Sequence, residues 1–257
     1  MKKTLLAAAA AATALVAPAF ADGHGERYVM ITHTQGTDPF WPVVEKGGRD
    51  AAEAIGATLE YNFDVSGDMA AMAALIEAAA ASNPDGIIVS LPDAAALGPA
   101  IKAAVADGIP DVTMNSGLES SAELGALMHV GQPERDAGEA AGTRAAAEGV
   151  TNGLCLNQEA FNTALVDRCE GYFSGLGGDL NMIDVSNDPA QIETRTAAAL
   201  QADPSIDGVL AVGPHVCEAA VKAVDAVGAD VHLACFDLSP GVIDMIEIGQ
   251  AAFTIDQ

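Results

Sequence analysis

Phe40 and Trp41 stand side by side at a loop–helix junction in a chain that is only 4% aromatic. Two flat apolar rings so placed can stack on the C–H face of a sugar ring and strip it of water. The polar rim of that ring then needs partners, because an unmade hydrogen bond to a buried hydroxyl costs about 1–3 kcal/mol. Asn115, Asn162, Arg168, Asp237 and Gln257 carry suitable groups. Arg168 donates from a rigid fork, and Asp237 accepts from two neighbouring hydroxyls. This is the chemistry of noncovalent capture of a small hydroxylated molecule. Plainer roles compete with it. One of the two rings can plug a helix–sheet core, and Arg168 can form a structural bridge to Asp237 or Glu170.

Covalent chemistry finds less support. The chain has no GxSxG elbow, no GxGxxG after its first strand, no Walker loop and no HExxH. Of its histidines, His24 lies near the start, and His129 and His232 fall on predicted strands. Only His33 and His215 fall at predicted strand ends. Two such residues do not make a metal site, so no metal and no cofactor is expected. Glu159 and Asp237 imitate a glycosidase acid pair, but nothing in the sequence sets their separation. Asp38-Pro39 and Ser239-Pro240 read as helix starts, each a capping residue followed by proline.

The elements that must position these residues alternate regularly. Strands are predicted at 28–32, 58–62, 86–90, 111–115 and 126–130, with helices at 41–55, 69–81 and 94–106 between them. The pattern then begins again. Helices are predicted at 134–148, 163–176, 188–202, 216–227 and 240–248, and strands at 153–156, 182–185, 208–212, 231–237 and 252–255. Such alternation is the signature of α/β architecture, parallel sheets covered on both faces by helices. Two doubly wound, Rossmann-like lobes account for the chain. Polar stretches sit at the predicted strand ends, where open α/β sheets bind ligands: SLPD at 90–93, NSG at 115–117, LNQEAFN at 156–162, VGPH at 212–215 and FDLSP at 236–240. Two such edges facing each other make a cleft.

The bulk properties bound the partners. The 257 residues carry a net charge of -25. That argues against nucleic acid or anionic lipid as a partner. Lys2 and Lys3, a short apolar run and Ala19-Phe20-Ala21 form a cleavable secretory leader at 1–21. The run is too short for a membrane anchor, and the expected location is a periplasm. Four cysteines, Cys155, Cys169, Cys217 and Cys235, lack metal-site spacing. An oxidising compartment permits the pairings Cys155–Cys169 and Cys217–Cys235. The alternative is four small buried side chains.

Several segments together resemble the periplasmic sugar-binding proteins of ABC import systems, the ribose-binding type I fold. They are TDPFWPVVEKGGRDAAEAIGATLEY, PDGIIVSLPDAAALGPAIKAAVADGIPDVTMNSG, FNTALVDRCEGYFSGLG, ACFDLSPGVIDMIEIGQ and FTIDQ. The resemblance implies an N-terminal lobe at 22–130 and a C-terminal lobe at 131–257. It also implies a further 50–70 residues that would complete the first lobe, so the chain reads as truncated. For the site it implies Asp38, Phe40 and Trp41 in the first loop, Gln132 at the crossing, and Arg168, Asp237 and Gln257. It departs from the ribose pattern at Asn115 and Ser116, where an acidic–basic pair is usual. A second departure is Gly213, where an asparagine is usual. His33 and His215 are candidates to supply the missing donors. The implied partners are a small sugar or polyol and an inner-membrane permease, with the protein a monomer and not an enzyme. The alternative is a periplasmic receptor for a furanosyl autoinducer or a nucleoside-like ligand, with Phe161 or Tyr172 as a second aromatic wall.

Overall fold

The computed structural model describes residues 25–33 and 38–257; the leader expected at 1–21 lies outside them. The chain runs β1 (Arg27–Thr32), α1 (Phe40–Ile55), β2 (Thr58–Phe63), α2 (Met69–Ala81), β3 (Gly86–Ser90), α3 (Ala94–Ala106), β4 (Asp111–Met114), α4 (Leu118–Leu124) and β5 (Met128–Val130). It continues α5 (Glu134–Ala147), β6 (Gly153–Asn157), α6 (Thr163–Leu176), β7 (Met182–Asp184), α7 (Pro189–Ala202), β8 (Gly208–Ala211), α8 (Pro214–Val227), β9 (His232–Phe236), α9 (Pro240–Glu247) and β10 (Phe253–Ile255). The strands form two five-stranded sheets, ordered β2-β1-β3-β4-β5 and β7-β6-β8-β9-β10. Every strand pairing is parallel. The second order repeats the first five strands on, so the chain winds the same doubly wound lobe twice.

Strand alternation sorts side chains onto the two faces of each sheet. In the second lobe Leu154, Leu156, Val209 and Leu233 pack under α7 and α8. Their neighbours Cys155, Leu210, Ala234 and Phe236 pack with Tyr172 and Phe173 of α6. Both faces are therefore buried, which is why these strands read as unbroken apolar runs. In the first lobe Val29, Ile31, Ile87 and Val89 meet Ile76 of α2 and Ile101 of α3. Met30 points to the other face and packs against Trp41 of α1.

Helices α5 and α6 lie closer than side chains would permit. Gly138 and Gly142 face Gly171 and Gly175. A Cβ added to Gly142 would lie 1.9 Å from the Tyr172 carbonyl oxygen, and one on Gly175 2.1 Å from that of Glu139. The two backbones touch along a full turn. Cys155 and Cys169 form a disulfide that ties β6 to α6, and Cys217 and Cys235 form one that ties α8 to β9.

Three local features differ from the sequence reading. The sequence reading places no helix at 118–124; α4 is a short helix of about two turns, LESSAEL, held between Gly117 and Gly125, both in left-handed conformation. Helix α8 starts at Pro214 rather than 216, because proline suits the first helical position. Pro39 stands before the first turn of α1 rather than in it, while Asp38 Oδ1 accepts the Phe40 N–H at 3.0 Å.

Candidate functional site

The carboxyl ends of both sheets face one another. From the first lobe, His33 follows β1, Asn115 follows β4, and Asp38, Phe40 and Trp41 enter α1. From the second, Gln158 and Glu159 follow β6, and Asn162 and Arg168 come from the start of α6. Gly213, Asp237 and Gln257 follow β8, β9 and β10. All of these line one cleft. Its atom-free space, mouth included, is about 360 Å³. A wider groove of about 1060 Å³ opens beside it and shares Asn115 and Ala164. That groove is walled by side chains at the rim, such as Glu119, Arg135 and Asp136. The wider groove has buried Glu134 in its wall, but the smaller cleft gathers most of the buried polar groups, and the candidate site is placed there.

The two rings divide their labour. Trp41 is only 4% exposed and packs on Met30 and Met114, so it is the ring that plugs the core. Its edge still reaches the cleft. Phe40 is half-buried and meets Trp41 edge to face, centroids 5.1 Å apart. His33 meets the other side of Trp41 at 4.8 Å.

Arg168 is the electrostatic centre. Its Nε and Nη2 donate to Glu134 Oε2 and Oε1 at 2.6 and 2.9 Å, a two-bond fork. Nη1 donates to the Val212 carbonyl at 2.9 Å and to Asp237 Oδ2 at 3.5 Å. The guanidinium also lies 4.4 Å from the centroid of the Phe236 ring. Burial alone would lower its pKa, but the carboxylates of Glu134 and Asp237 more than reverse this and hold it charged. Asp237 behaves differently. Burial pushes its carboxyl up to about 6 against the opposing pull of Arg168. The long 3.5 Å contact explains the weak pull, since Arg168 spends its fork on Glu134. Gln257 Nε2 donates to Asp237 Oδ1 at 3.0 Å.

Polar contacts cross between the lobes. Ser90 Oγ accepts the His33 backbone N–H at 3.1 Å and lies 2.7 Å from His33 Nδ1, leaving Nε2 toward Glu159 Oε2 at 3.5 Å. Asn162 Nδ2 donates to the same Glu159 oxygen at 2.8 Å. In the reverse sense His215 Nδ1 of the second lobe lies 3.8 Å from Asp38 Oδ1 of the first. Asn187 joins the two arms: it donates to Glu159 Oε1 and accepts from His215 Nε2 at 2.9 Å. Burial raises the Glu159 pKa, but hydrogen bonds from His33, Asn162 and Asn187 outweigh it, and the net shift is downward. The Thr163 N–H also donates to the Pro92 carbonyl across the cleft at 3.1 Å.

Three residues expected at the site do not line the cleft. Ser116 is fully buried, and its hydroxyl donates to Asn115 Oδ1, so it orients a wall residue. Gln132 donates to Glu134 Oε2 and supports the Arg168 partner from behind. His215 sits in the first turn of α8, where the earlier helix start turns it toward Asn187. The expected bridge from Arg168 to Glu170 does not form; Glu170 pairs with Arg135 on the surface. Tyr172 is buried in the second-lobe core and cannot wall a ligand. Conversely, Glu134 and Gln158 were missed. Glu134 looks in sequence like an ordinary acidic residue in a helix's first turn, and only the close approach of α5 to α6 sets it against Arg168.

The comparisons bear on the family and the fold. The family model described as "Periplasmic binding protein domain" matches residues 28–257. No curated protein gives a significant match. Among solved structures, a carbohydrate transporter from Acidothermus cellulolyticus 11B, in complex with myo-inositol, is 40% identical. It superposes with a TM-score of 0.85 over 88% of this chain and 79% of its own. A periplasmic sugar binding protein of an ABC sugar transporter from Legionella pneumophila shares the fold. Its TM-score is 0.83 at 21% identity, over 90% of this chain and 89% of its own. GanP, a glucose-galactose binding protein from Geobacillus stearothermophilus, does so too, at 0.79 and 20%, over 91% of this chain and 85% of its own. With two matching lobes, a shared cleft and a family model covering nearly all described residues, this chain belongs to the periplasmic binding proteins.

Proposed function

We propose that this chain is the substrate-binding protein of an ABC importer, and that it captures a small sugar or cyclic polyol in the periplasm. It then delivers that ligand, as a monomer, to a membrane permease. The carrying observation is the cleft. An aromatic edge from one lobe faces Arg168, Asp237 and Gln257 from the other, and polar contacts already bridge the walls. The ring faces of a sugar or polyol meet Phe40 and the edge of Trp41. Its hydroxyls meet Asn115, Asp237 and Gln257. Hinge bending between lobes at about 22–130 and 131–257 admits and encloses it. The complex of the Acidothermus relative with myo-inositol favours a neutral cyclic polyol. A ligand with its own carboxylate or phosphate would meet Glu159 and Asp237, two buried carboxyls of the cleft wall. The leader at 1–21 supports export.

Isothermal titration calorimetry against sugars, cyclic polyols and nucleosides tests the reading. Saturable heat with a sugar or polyol is the expected result. No heat with any sugar or polyol, or binding of nucleosides alone, would overturn it.

A further inference from the structure

Among the described residues of the cleft wall, Gln158 has a feature that no other shares. It is 7% exposed, and its Oε1 is buried without any hydrogen-bond partner. The remaining buried, unpartnered polar atoms among the described residues belong to side chains that do not line the cleft, such as Asp111, Thr196 and Tyr172. Glu159 and Asn162, its close neighbours in the chain, are both satisfied by protein groups. A buried carbonyl left without a donor costs stability that an apolar side chain of the same shape would not.

Gly213 makes the room for this amide. A Cβ there would lie 2.9 Å from Gln158 Nε2 and 3.7 Å from its Cδ. Gly213 has φ -165°, an extended conformation open to any residue, so its backbone does not require glycine. The missing side chain serves space.

We propose that Gln158 is a specificity-determining residue whose side-chain carbonyl accepts a hydrogen bond from one ligand hydroxyl, in space that Gly213 keeps open. This rests on the reading of the cleft as a sugar or polyol site. A ligand lacking that hydroxyl leaves Oε1 orphaned and is rejected.

The test is calorimetry of wild type, Gln158→Met and Gly213→Val, with far-UV circular dichroism to verify folding. The probes are the tightest-binding polyol of the panel, myo-inositol first, and its set of monodeoxy analogues. Wild type should bind one analogue about 5- to 100-fold more weakly than the parent. Gln158→Met should lose that discrimination at the one position while keeping it at the others. Gly213→Val should weaken the parent by displacing the amide. Gln158→Met affinity for the parent within twofold of wild type, or an equal loss for every analogue, overturns the role of Gln158 alone. Absence of binding by wild type to any sugar or polyol overturns the reading of the cleft, and this inference with it.

Discussion

Asp111 offers a test of the fold's electrostatics that leaves the cleft untouched. It opens β4, at the end of the strand away from the ligand site, and is 1% exposed. Neither carboxyl oxygen has a hydrogen-bond partner. Burial pushes its pKa from 3.8 to about 7. Between those values the folded protein keeps a proton that the unfolded chain has lost. Stability therefore declines as pH rises from 3.8 towards 7, and the full penalty applies above 7. At about 1.4 kcal/mol per pH unit, the whole penalty is about 4 kcal/mol. Asp111→Val removes it and places a β-branched residue in a strand. Urea unfolding should begin at about pH 5, clear of the sequence pI near 4.1. Between there and about pH 8.5 the advantage of the variant should grow by about 3 kcal/mol, the two units left before titration ends. Ligand affinity should not change. An advantage that is the same at both pH values, to within about 1 kcal/mol, would refute the assignment of a buried, protonated carboxyl.

Trp41→Ala should lower stability by about 3–5 kcal/mol, because the indole fills the face that Met30 and Met114 share; thermal unfolding measures it. Phe40→Ala should instead cost about 3- to 10-fold in ligand affinity by calorimetry, with a smaller loss of stability, since its ring is only half-buried. Glu134→Ala strips Arg168 of its two-bond partner and should destabilise the fold by about 3–5 kcal/mol in urea titrations. A loss under about 1 kcal/mol would mean that Asp237 and the Val212 carbonyl suffice. Ligand affinity should fall as pH drops through about 6, where Asp237 takes up a proton and ceases to be a full acceptor. Titrations at about pH 5 and pH 7.5 read the effect, which Asp237→Asn should remove.

The lobes were legible because their central strands are buried on both faces. GIIVS at 86–90 and its counterpart GVLA at 208–211 are almost wholly apolar, and the 69–81, 94–106 and 163–176 helices show their length openly. Helix α4 was not legible, since two serines at the centre of LESSAEL read as loop and no periodicity develops over seven residues. For the site, Arg168, Asp237 and Gln257 stood out as polar groups at strand ends or helix starts. What stayed hidden was pairing. The partner of Arg168 lies 34 residues away in sequence, and it meets the guanidinium only because four glycines let two helices touch. For Trp41 the sequence allowed a core plug without saying which of the two rings it is; Met30 and Met114 beneath the indole decide it.

The contact of α5 with α6 carries a mechanical consequence. With carbonyls where side chains would be, the pair has no cushion that could absorb sliding, so the two rods turn as one rigid body. The first of them begins after only three intervening residues from the end of β5, where the chain leaves one half of the molecule for the other. Any rotation of the second half about that joint would therefore carry the two rods, and the Arg168 guanidinium on the second of them, as a single unit.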